Sequence, residues 1–81
     1  MSNILAEQLV RATLSRFEAS RQEALAIIEL YLNHPVGVGE HPAIVDDIAK
    51  ATIQLAEAEE AIEALRRNFL ARETENSDNE E

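Results

Sequence analysis

The chain is predicted to be all-α: an antiparallel two-helix hairpin with coiled-coil-like packing, of the kind that pairs into a four-helix bundle. Three observations predict it. Residues 3–32 contain neither glycine nor proline and are rich in good helix formers. Both glycines and both prolines of the chain fall together between Pro35 and Pro42. Beyond them, apolar residues recur at steps of four and three from Ile44 to Phe69, a 3.5-residue repeat that specifies a packed helical seam.

Helix 1 is expected over about residues 3–33. A side-chain oxygen of Ser2 or Asn3 can accept a hydrogen bond from the first free amides. At 100° per residue, Val10, Leu14, Phe17, Ala24, Ile28 and Tyr31 share one side, with Arg21 at the skipped position. A charge on a seam has three ways out. It can reach to the edge along its own stem, pair with a carboxylate such as Glu18 or Glu57, or set the register as a buried polar group. The first is the default expectation.

The turn is placed at residues 34–41. Asn33 suits a left-handed C-terminal cap, and Pro35 opposes continuation of the helix. Val36 and Val38 are expected to fold back over the end of the hairpin, near Tyr31 or Ile44. Helix 2 is expected over about residues 42–72. Pro42 fits its first position, Asp46 and Asp47 lie near the positive end of its dipole, and Arg66, Arg67 and Arg72 near the negative end. Its seam is Ile44, Ile48, Ala51, Leu55, Ala58, Ile62, Leu65 and Phe69. A turn this short returns the second helix antiparallel to the first. Setting Tyr31 against Ile44 then pairs Ala24 with Ala51, Arg21 with Leu55 and Phe17 with Ala58, so that facing numbers add to 75 or 76.

An 81-residue chain makes one small domain (residues 1–72 here) with room for a thin core but not for a deep cavity. It has no cysteine, which removes disulfides and thiolate zinc sites and leaves association as the remaining staple. The net charge is −9, and residues 73–81 hold five acidic side chains and no basic one. That tail is expected to be disordered and to serve solubility. An acidic chain disfavours nucleic acid and anionic membrane surfaces as partners. The first ten residues lack the basic and apolar runs of an export signal, and no apolar stretch is long enough to span a bilayer. A cytoplasmic location is therefore expected.

The surplus of apolar surface points to self-association. Leu5, Leu9, Ala12, Ala19, Ile27 and Leu30 form a second stripe on helix 1, and helix 2 adds a small-residue flank of Val45, Ala49, Thr52 and Ala56. One neighbouring helix covers roughly a 100° sector. Leaving Leu5, Leu9, Ile27 and Leu30 in water forfeits about 1.5–3 kcal/mol each relative to full burial. A homodimer is expected, with higher assemblies as the next possibility.

Sites for chemistry are scarce. His34, Glu40 and His41 are candidate metal ligands, but their spacing matches no familiar metal pattern, and both histidines precede turn prolines. Gly37-Val38-Gly39 lacks the lysine and hydroxyl of a phosphate-binding loop. Glu57, Glu59, Glu60 and Glu63 have no histidine on either helix to complete a di-metal site, and Ser15 and Ser20 have no histidine as a base. No cofactor, no bound metal and no catalysis are expected. The functional expectation is a homo-oligomerising protein-interaction module. The alternative is an acidic inhibitor or nucleic-acid mimic that occupies a basic groove of a host protein; the concentration of charge in the tail counts against it.

The turn Tyr31-Leu32-Asn33-His34-Pro35-Val36-Gly37-Val38-Gly39-Glu40-His41-Pro42 resembles that of small uncharacterised helical-hairpin proteins of tailed phages, particularly marine T4-like ones. The likeness covers residues 10–70. It implies a viral origin, a host-cytoplasmic setting and a helical fold, with no activity or site to carry over.

Overall fold

The computed structural model describes residues 4–33 and 43–70. Helix α1 runs from Ile4 to Asn33 and helix α2 from Ala43 to Leu65, and α2 continues as a single π turn from Arg66 to Leu70. No strand occurs among the described residues. The proposed cap residues Ser2 and Asn3, the turn at 34–41, Arg72 and the acidic tail at 73–81 lie outside them.

The helices pack antiparallel, as the polar contacts between them show. Gln54 Nε2 donates to the Ser20 carbonyl at 2.9 Å, to Ser20 Oγ at 3.2 Å and to Glu23 Oε1 at 2.9 Å. Nearer the turn, the Tyr31 hydroxyl donates to Asp47 Oδ2 at 3.0 Å. These partners have numbers adding to 74, 77 and 78, which brackets the register expected from the seams.

Between the helices lies a core made mostly of methyl groups. Ala24, Ala51, Ala58 and Ile62 are the buried side chains among the described residues. Around them Val10, Leu14, Phe17, Ile28, Tyr31, Ile44, Ile48, Leu55 and Leu65 are half-buried. Alanine at the line of closest approach lets two backbones come near each other, and the larger residues then pack at the edges with one side open to solvent. No large side chain is fully buried. The paired seams therefore fold as the heptad spacing predicts, but they shield little bulk.

Phe69 departs from that spacing. It is 65% exposed, whereas Leu70 is half-buried. In a π turn the amide bonds five residues back instead of four, so one extra residue passes before the chain faces inward again. The inward step from Leu65 is then five, to Leu70. A matching feature lies on α1. Its seam, continued outward from Val10, leads to exposed Glu7, so Phe69 would meet no apolar partner there. Asn68 Nδ2 donates to the Ala64 carbonyl at 2.8 Å, supplying a side-chain partner where the main-chain ladder widens.

Arg21 resolves the charged position on the α1 seam by pairing. Its Nε donates to Glu18 Oε1 at 3.2 Å, with the side chain 30% exposed. Glu18 Oε2 also faces Arg66 at 3.8 Å, which links the two helices. By the register, Arg66 sits roughly 12 Å along the axis beyond the residue opposite Glu18. The two side chains meet because helical side chains lean toward their own N-terminus, and in an antiparallel pair those leanings converge.

Candidate functional site

Two surfaces of the hairpin differ from an ordinary solvated helix face, and both involve α1. The first is its outer stripe. Leu5, Leu9 and Leu30 are 65%, 59% and 57% exposed. Ala12 and Ala19 are exposed with them, and Ile27 is half-buried. The polar residues on the same stripe are Arg16 and Glu23, both exposed.

Nearer the turn, a shallow groove of about 320 Å³ runs between the helices, lined by Ile27, Leu30, Tyr31, Asp47, Lys50, Ala51 and Gln54. Its floor is apolar, and one wall carries the Tyr31–Asp47 hydrogen bond. That bond raises the phenol above its ordinary pKa, because the carboxylate accepts a hydrogen bond that only the protonated phenol can donate. The negative charge of Asp47 then opposes a phenolate, and partial desolvation adds in the same direction. Tyr31 is thus held as a neutral donor.

The contacts also show how the flanks are arranged. Gln54, Asp47 and Lys50 flank α2 on the side where it meets Ser20, Glu23, Ile27 and Leu30. Val45, Ala49, Thr52 and Ala56 lie round α2 from them and are exposed. At 100° per residue they fall on the opposite side of the hairpin, the side of the Glu18–Arg66 pair. The α2 flank and the α1 stripe therefore form two separate surfaces.

The acidic run of α2 is a solvated face: Glu57, Glu59, Glu60 and Glu63 are all exposed, and Glu63 lies 3.7 Å from Arg67 one turn on. Among the described residues no group of three or more His, Asp or Glu side chains is placed to hold a metal ion. The candidate ligands His34, Glu40 and His41 lie outside the described residues. No described helix is long and apolar enough to cross a membrane.

Among the polar side chains that hold the helices together, Gln54 and Asp47 escape a reading of the seams, as does the reach of Glu18 to Arg66; the pairing of Glu18 with Arg21 is among the expected outcomes. Gln54 sits one residue before seam Leu55, Asp47 one residue before seam Ile48, and Glu18 one residue after seam Phe17. Polar residues at seam edges are the signal that could have found them. A phenol at the end of a seam, like that of Tyr31, also needs a nearby acceptor.

Fold and surface together define an all-helical hairpin with an uncovered apolar stripe. The chain matches no protein-family model, no curated protein and no solved structure in these comparisons.

Proposed function

We propose that this chain is a non-enzymatic protein-interaction module that associates with itself, two hairpins bringing four helices together. A single observation carries the reading: Leu5, Leu9 and Leu30, on the outer stripe of α1, are more than half exposed. The core beneath them buries three alanines and one isoleucine. A hairpin that hides so little of its own apolar surface gains most by covering the remainder with another copy.

The polar groups are committed to holding the hairpin. Tyr31, Gln54, Glu18 and Arg21 each bond across or along the helices. The one hydroxyl among them, that of Tyr31 beside the Asp47 carboxylate, is held protonated rather than activated as a nucleophile. The role that fits is presentation of a surface, to its own copy and through the assembled form to another protein.

Sedimentation equilibrium on the full chain at micromolar concentration tests the proposal. A mass twice the 9.0 kDa of one chain, or a higher multiple, is expected. A single 9.0 kDa species at every concentration would overturn it.

A further inference from the structure

The outer stripe of α1 is a second heptad, and its composition selects one way for two copies to meet. Its positions run Leu5, Leu9, Ala12, Arg16, Ala19, Glu23, Ala26 and Leu30, alternating steps of four and three, and all are exposed. Alanine recurs every seventh residue at 12, 19 and 26, and the positions between carry the longer side chains. A parallel pairing would set like on like. Arg16 would face the partner's Arg16 and Glu23 the partner's Glu23, and every alanine would meet an alanine. That arrangement repels twice and leaves the small layers under-filled.

We propose that a second copy of this chain docks here with its α1 antiparallel to the first, rotated about a twofold axis that crosses the stripe midway between Arg16 and Ala19. The inference rests on the self-association reading above and specifies its geometry. In this register Leu5 faces the partner's Leu30, Leu9 the partner's Ala26, Ala12 the partner's Glu23, and Arg16 the partner's Ala19. The three inner layers each oppose one long side chain to one methyl, the complementarity that close helix packing requires. Leucines close both ends.

Charge selects the same arrangement. Arg16 and the partner's Glu23 lie four residues apart along the axes, roughly 6 Å. Each leans toward its own N-terminus, so the two side chains converge. The same convergence of leaning side chains joins Arg66 to Glu18 within the hairpin at 3.8 Å, across a longer axial offset. Both groups are available. Arg16 has no ion pair among the described residues, and Gln54 engages only Oε1 of Glu23. The twofold axis makes the bridge twice. Each α2 packs on the inner seam of its own α1 and reaches the stripe only at its edge, at Glu23 and Leu30, so the two α1 helices form the centre of the assembly.

Charge reversal tests the register. The single variants Arg16→Glu and Glu23→Arg each convert both bridges into like-charge pairs and should self-associate about tenfold more weakly than the unaltered chain. Mixing the two single variants should restore association as a heterodimer, because opposite charges then face each other at both bridges. The double variant Arg16→Glu/Glu23→Arg should restore self-association. Circular dichroism of each variant checks that the hairpin still folds, and sedimentation with one variant fluorescently labelled reads the pairing. If the unaltered chain is monomeric, self-association itself fails. If it is dimeric but the single variants dimerise as well as the unaltered chain, whatever mixing brings, this register is overturned and self-association stands.

Discussion

The two faces of α1 carry the same kind of pattern and meet opposite fates. On the inner face, Val10, Leu14, Phe17, Ala24, Ile28 and Tyr31 are all buried or half-buried against α2, and the one charge among them, Arg21, is paired with Glu18. On the outer face, Leu5, Leu9 and Leu30 stand in solvent, and the charge at Arg16 has no ion pair among the described residues. A heptad records that a helix face is built to be covered, and it is silent on whether the cover lies in the same chain. What separates the faces is reach. A short turn delivers α2 to one side of α1 and leaves the other side uncovered.

The comparison breaks most readily at Ile62, the largest of the buried side chains. Ile62→Ala should lower hairpin stability by about 2 kcal/mol or more, read as a fall in the thermal midpoint at fixed chain concentration. Leu9→Ala, on the outer face, should leave the helicity of dilute protein nearly unchanged. Similar losses from both would mean that inner and outer faces do not differ in the isolated hairpin. A sharper version enlarges a buried alanine. Ala24 is fully shielded, and Ala24→Leu should destabilise by about 1–3 kcal/mol because no space awaits the added carbons. Unchanged stability would show that the helices can separate at little cost.

Smaller effects probe the polar contacts. Arg66→Ala removes the link to Glu18, whose partners are 58% and 37% exposed, so solvent screening should hold the loss below about 1 kcal/mol. A loss well above that, measured by urea denaturation, would assign the pair a larger share in closing the hairpin. Tyr31 gives a directional test. Its phenol is raised above the ordinary value near 10, so the stability it contributes is present below that pH and is lost as pH rises through its elevated folded value. It is the chain's one tyrosine, and there is no tryptophan, so ultraviolet titration reads it directly. The midpoint should fall in Asp47→Asn; an unchanged midpoint would dismiss the hydrogen bond as its cause.

Much of this architecture is legible from residue spacing. The unbroken helix formers of residues 3–32, the clustered glycines and prolines, and the two seams lead to an antiparallel hairpin with the observed register. The end of α2 is less legible. Taken alone, its repeat carries Phe69 inward. The structure turns Phe69 outward at a π turn, where the seam position facing it on α1 is exposed Glu7, a juxtaposition that belongs to the pair of helices and to neither one. Hydrogen-bond partners are hidden for a similar reason. That Gln54 would choose Ser20 and Glu23 depends on distances set only once the backbones are in place. Selecting apolar residues alone also picks out Leu5, Leu9, Ala12, Ala19, Ile27 and Leu30 on the outer face while passing over Arg16 and Glu23, the residues that can tell one docking direction from another.

The methyl-lined contact between the helices has a consequence for how freely this protein can vary. Ala24, Ala51 and Ala58 occupy places where the main chains themselves bound the available space. In most proteins the bulky core positions resist change and the small ones drift. In the isolated hairpin the small positions join Ile62 in resisting change: three of the plainest side chains should be hard to replace, while conspicuous leucines along the exterior could be exchanged with little harm.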